Sequence, residues 1–162
     1  MYAKRACPIL ETDTSSTLFE KLSLLGRDLL LEVLEDIYTG KCVGVSQDEA
    51  ASTYAPNLMP EEEYIDFNKQ AKDIVNQIRG LSLEPGATIL LKDTKLKVFQ
   101  ASVVSENSST PPGTIISLKK KILIKAATDA VSLELVLLPG KKMISAKDFV
   151  NGQKILQEFD VI

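Results

Sequence analysis

Residues 87–104 read Ala-Thr-Ile-Leu-Leu-Lys-Asp-Thr-Lys-Leu-Lys-Val-Phe-Gln-Ala-Ser-Val-Val. From Ala87 onward the apolar repeat drops to two residues, most plainly across Lys95-Leu96-Lys97-Val98. That alternation is the mark of a strand with one buried face. It continues to the end of the chain, and strands are expected at 87–92, 95–104, 114–118, 121–126 and 131–138. Asp93-Thr94 makes a tight connection, residues 107–113 a Pro- and Ser-rich loop, and Thr128-Asp129 a turn. Ser145 caps a last short helix, with Asp148 three residues on and Asn151-Gly152 at its end. Five short antiparallel strands with one small helix point to an OB-like β-barrel.

Ahead of this region the period is helical. Ala71, Ile74, Val75 and Ile78 share one face of a helix that Asp66 or Asn68 would cap and Gly80 would end. Pro60-Glu61-Glu62-Glu63 suits a first helical turn, because proline lacks only a hydrogen that is free there and carboxylates favour the positive end. Residues 43–60 show no period and read as an extended linker.

The N-terminal region is expected to hold a strand at residues 3–9, then a long helix. Thr17-Leu18-Phe19-Glu20 fits a capping box, and Gly40 supplies a stop. Leu18, Leu22, Leu25, Leu29, Val33 and Ile37 form an apolar stripe, widened by Phe19, Leu24, Leu30, Leu31 and Leu34. One strand cannot cover so broad a face. The helix between Leu18 and Ile37 is therefore expected to self-associate or to belong to a larger domain. The fold class is α+β: a strand–helix remnant over residues 1–45, a linker over 46–68, and an OB-like domain with flanking helices over 69–162.

Composition bounds the function. The 162 residues are 44% hydrophobic and 25% charged, with a net charge of -3. That suits a soluble globular chain. No apolar run approaches the ~20 residues of a membrane span, and no signal peptide is evident. Cys7 and Cys42 lack ligand spacing and read as reduced thiols, which points to the cytoplasm. There is no histidine, which removes Ser-His-Asp and Cys-His catalysis and the common metal ligand. No phosphate-binding glycine loop is present either. No catalytic or metal-binding residue is assigned.

Charge is unevenly placed. Residues 1–75 carry 7 basic and 14 acidic side chains, net -7, whereas residues 76–162 carry 12 and 8, net +4. The basic residues cluster at expected turns. Lys92, Lys95 and Lys97 flank the first hairpin, Lys119-Lys120-Lys121 sits between two strands, and Lys141-Lys142 follows Pro139-Gly140. Barrels of this type bind nucleic acids on such loops and faces. The only aromatics assigned to the domain are Phe99, Phe149 and Phe159, and the chain has no tryptophan. Contact with a phosphate backbone is therefore expected over base stacking.

Several segments together resemble one family. Gln47-Asp48-Glu49, Thr53-Tyr54-Ala55-Pro56, Glu61-Glu62-Glu63 and Ile65-Asp66-Phe67 are similar to the bridge between the two domains of methionyl-tRNA formyltransferases. Ile78-Arg79-Gly80, Pro85-Gly86-Ala87, Leu96-Lys97-Val98, Pro112-Gly113-Thr114-Ile115 and residues 140–149 with Asn151-Gly152 resemble that family's C-terminal domain. Tyr2-Ala3-Lys4-Arg5 through Leu30 resembles the end of its catalytic domain. The resemblance implies formyl transfer from 10-formyltetrahydrofolate to the amino group of methionyl initiator tRNA. It implies that the catalytic Asn, His and Asp lie before Met1, so that this chain holds no donor site and is inactive alone. It also implies that basic residues of the linker and barrel hold the tRNA, with Arg79, Lys97 and Lys141 at matching positions. Phe67 and Glu84 stand where the family has tryptophan. Another formyl-transferring or formyl-folate-hydrolysing enzyme, and a structural fragment without activity, are the rival readings.

Overall fold

The computed structural model describes residues 1–91, 94–119, 121–152, 156–158 and 160–162. They form two compact units, Met1–Asn57 and Leu58–Ile162.

The first unit is built on α1, Ser15–Tyr38. The helix starts two residues before the expected cap. Thr14 is the N-cap: its hydroxyl accepts from the Thr17 N–H at 3.3 Å, and the Thr17 hydroxyl accepts from the Thr14 N–H at 3.0 Å. Asp13 reinforces this start by accepting from the Leu10 N–H at 2.8 Å and pairing with Lys21. Gly40, at φ 71°, follows the helix as anticipated. The expected strand at residues 3–9 does not form. A ladder needs a neighbour, and in this unit backbone pairing is confined to Met1 and Val45, which exchange two bonds of 2.8 Å. Pro8 also removes one donor. No α1 residue is buried: Phe19 is 74% and Leu31 66% exposed. Arg5 bridges to Glu32 across the helix.

The second unit opens with a 3-10 turn at Pro60–Glu63, where the Met59 N–H donates to Glu62 Oε2 at 2.7 Å. Helix α2, Ala71–Gly80, follows. Neither expected cap serves it. Asp66 instead accepts from the Asn68 backbone and side-chain amides at 3.0 and 2.9 Å, closing a turn one step earlier. Its carboxyl is thereby held below the usual carboxylate range.

The strands are β1 Ala87–Leu91, β2 Thr94–Val104, β3 Ile115–Ser117, β4 Ile122–Lys125, β5 Ala130–Leu137 and β6 Ile144–Ser145. They pair antiparallel in the order β1-β2-β5-β4-β3, with β6 on β5. The five expected strands are present within a residue of their limits, except that Lys92 lies outside the described residues. β6, two residues long, is too short to show a period. A register shift at Phe99 lets β2 bend, so the sheet curls. Ile74 and Ile78 of α2 and Phe149 of α3, Ala146–Gly152, pack into the hollow against Leu96, Val98, Ile122 and Val136. Ser145 Oγ accepts from the Asp148 N–H at 3.1 Å, which is the expected cap of α3.

Candidate nucleic-acid interface

The registers place the lysines. Leu91 pairs with Thr94 at the start of β2, and Lys97 of β2 pairs with Leu137 at the end of β5. Ile122, the first residue of β4, pairs with Leu133, while Lys125 at its other end pairs with Ala130. Ser117, the last residue of β3, pairs with Leu123. The three connections β1–β2, β3–β4 and β5–β6 therefore leave the sheet at one end. They are also the lysine-bearing ones. Topology gathers at that end what the sequence scatters over some fifty residues.

The members differ in their surroundings. Lys119, Lys121, Lys141 and Lys142 are exposed. A turn closed by the Lys141 N–H on the Leu138 carbonyl at 3.1 Å, with Gly140 at φ 68°, presents the last pair. Lys95 is exposed, and its ammonium lies 5.5 Å from the centroid of the Tyr64 ring. A hydrogen bond with the Tyr64 phenol raises its pKa. Lys97 is half-buried: it pairs with Glu63 at 2.7 Å and donates to the Gly86 carbonyl at 3.1 Å. Arg79 is half-buried in the last turn of α2, at the helix's negative end. Lys92 and Lys120 lie outside the described residues. Lys125 is buried at the opposite end of the sheet, donating to the Glu106 and Asp129 carbonyls, and is not part of this group.

Two features escaped the sequence. The first is Tyr64, which reads as linker. In the folded unit it bridges to Thr88 of β1, with the Ile65 N–H donating to the Thr88 carbonyl at 2.9 Å and Gln77 Nε2 donating to the Tyr64 carbonyl at 3.0 Å. The expectation that aromatics would be lacking is thus corrected. Phe99 and Phe149 are buried and cannot stack on a ligand, and Phe159 lies outside the described residues, whereas Tyr64 is 37% exposed beside Lys95. No local pattern in the sequence identified Tyr64 as the neighbour of Lys95. The second is a groove of about 660 Å³ between the 3-10 turn and α2, lined by Glu61, Glu62, Tyr64, Asp66, Asp73 and Gln77 among others. Its carboxylates outnumber its one lysine, Lys69, so it repels phosphate. Among the described residues no three potential metal ligands come together, and no helix is long and apolar enough to cross a membrane.

A family model described as "Formyl transferase, C-terminal domain" matches residues 57–154. The methionyl-tRNA formyltransferase of Streptococcus mutans is 44% identical over 153 residues, covering 94% of this chain and 49% of its own length. That of Lactobacillus johnsonii is 42% identical over 155 residues, again 94% and 49%. This chain thus spans about half the length of the curated relatives it matches. Among solved structures, HypX of Aquifex aeolicus in complex with tetrahydrofolic acid aligns with a TM-score of 0.67 at 18% identity, over 96% of this chain and 28% of its own. That likeness is one of fold. The match over most of the curled-sheet unit, together with these relatives, shows that the chain belongs to the formyl transferase family through its C-terminal domain.

Proposed function

We propose that this chain is the tRNA-holding portion of a methionyl-tRNA formyltransferase, the cytoplasmic enzyme that formylates the amino group of methionyl initiator tRNA. The observation that carries the reading is the gathering of Lys95, Lys119, Lys121, Lys141 and Lys142 at one end of the sheet. Exposed ammonium groups on short turns suit a folded RNA backbone, which is read by charge and shape. The relatives' name supplies the substrate. In the whole enzyme the chain's work is orientation: anchoring the tRNA body so that its aminoacyl end reaches the formyl donor.

On this reading residues 69–162 are an OB-like barrel, 46–68 the connecting segment, its part from Leu58 onward packed with the barrel, and 1–45 a remnant of the Rossmann-like catalytic domain. The apolar face of α1 packs within that domain, or against a second copy when the chain is alone. The donor, 10-formyltetrahydrofolate, has no place in the groove described above, because folate carries carboxylates and the groove is acidic. None of this chain's residues is assigned to the donor or to the chemical step.

Binding of the 162-residue chain to methionyl initiator tRNA, followed by fluorescence anisotropy across a salt series, tests the proposal. Contact with about four phosphates gives a log–log slope near -3. Joint replacement of Lys119, Lys121, Lys141 and Lys142 by Glu should weaken binding at least ~tenfold and flatten the slope. Unchanged affinity in that variant overturns it.

A further inference from the structure

Tyr64 is the one feature of the basic end that charge does not explain. Its backbone is fixed by the Thr88 bridge and by the Gln77 side chain, so the ring is held in place rather than borne on a free linker. Tyr64 as a residue stays 37% exposed. Leu90, also exposed, lies opposite Lys95 in the β1–β2 ladder and extends the apolar patch. On the groove side stand Glu61, Glu62, Asp66 and Asp73, while Glu63 is already paired with Lys97. A partly exposed ring with the Lys95 ammonium 5.5 Å from its centroid and a carboxylate-lined groove beside it has a direction built into it. A neutral heterocycle can lie on the ring, its phosphate is drawn toward Lys95, and the acidic flank turns the backbone away.

We propose that Tyr64 and Lys95 form a seat for a single unpaired nucleobase of an RNA, with the base stacked on the Tyr64 ring and its phosphate against the Lys95 ammonium. The seat rests on the tRNA-holding reading above and adds a base contact to what lysines on turns can supply only as backbone contact. An unpaired base is the class required, because bases in a helix are stacked on each other and their faces are closed.

The chain has no tryptophan, so Tyr64→Trp would introduce a single indole at the seat, excited apart from the remaining tyrosines at the red edge of its absorption. Adding methionyl initiator tRNA should quench its emission. Tyr64→Leu should weaken tRNA binding about tenfold with an unchanged salt slope, since no charge is removed. Tyr64→Phe should bind like the parent, which separates stacking from loss of the hydroxyl or of folding. Lys95→Ala should lower the slope by just under one. If the parent chain binds tRNA through its lysines while Tyr64→Leu keeps full affinity and the Tyr64→Trp emission is unmoved, the seat is refuted and the wider reading stands. Equal losses in Tyr64→Leu and Tyr64→Phe also refute it. Absence of any salt-sensitive tRNA binding by the parent chain removes both.

Discussion

The Lys97 ammonium lies 2.7 Å from a carboxylate oxygen of Glu63, and both side chains are 26% exposed. This pair ties the 3-10 turn Pro60–Glu63 to β2, and the bond from Lys97 to the Gly86 carbonyl extends the tie to the start of β1. A lysine expected to face RNA therefore also clamps its own protein. Two outcomes follow from that double demand. Lys97→Ala should lower the stability of the Leu58–Ile162 unit by about 1–2 kcal/mol, visible as a fall of several degrees in Tm. Glu63→Gln should release the ammonium and remove a nearby negative charge, so tRNA binding should tighten about two- to fivefold. A Lys97→Ala variant with parental Tm would show that the clamp contributes nothing.

The contrast between Lys97 and Tyr64 shows what could be read from the sequence. β2 was legible because it buries Leu96 and Val98 in alternation with Lys95 and Lys97, which imposes a two-residue period, whereas β1 and β5 bury consecutive residues such as Thr88-Ile89 and Val131-Ser132 and were legible as short runs bounded by turns. The same logic found the Ile74–Ile78 face of α2 and the Ser145 cap of α3. The strand at residues 3–9 failed because apolar content alone does not provide a pairing partner. Lys95, Lys119 and Lys141 could be named in advance, but their grouping depends on strand order, which no local pattern carries. Tyr64 was invisible for the same reason: its role comes from a single bridge to Thr88, across 24 residues of chain.

Asp13 gives the N-terminal unit a defined response to acid. Its pair with Lys21 and the Leu10 N–H hold its carboxyl below the usual value of 3.8. The folded state thus binds the proton less readily than the unfolded state does. The stabilisation is complete above about pH 4 and is lost as pH falls from that value through the lowered pKa. Helicity followed by far-UV circular dichroism should decline in that window, and Asp13→Asn should remove this component while lowering stability at neutral pH. An identical acid profile for Asp13→Asn would show that the carboxylate is not responsible.

Gly113 and Gly140 both adopt positive φ, 84° and 68°, yet they should tolerate alanine differently. A Cβ on Gly140 meets nothing within 4 Å, so Gly140→Ala costs only the left-handed backbone penalty, about 1–2 kcal/mol. A Cβ on Gly113 would lie 2.6 Å from the Ile162 carbonyl oxygen, a backbone atom held by the Ile162 N–H to Gly113 carbonyl bond of 3.0 Å. Gly113→Ala must therefore also displace the segment that pairs with Thr114, and should cost about 2–4 kcal/mol. Chemical denaturation of the two variants side by side decides it: equal midpoints would contradict the difference.

The exposed face of α1 leads to the last expectation. Phe19, Leu22, Leu24, Leu30, Leu31 and Leu34 are each about half exposed or more, and the unit containing them buries none of its helix. Burying such side chains gains roughly 25 cal/mol for each Å² removed from water, so an association that covers the face is favoured once it exceeds the cost of ordering two copies. The isolated chain should therefore sediment as a concentration-dependent mixture of monomer and larger species. Replacing Leu22 and Leu29 by Ser should shift it toward monomer and leave tRNA affinity unchanged, because both residues belong to the Met1–Asn57 unit and the proposed tRNA contacts to Leu58–Ile162. Sedimentation velocity over a hundredfold range of concentration checks this. A parent chain that stays monomeric throughout, or a double variant that associates as strongly as the parent, would show that this face is not what brings the copies together.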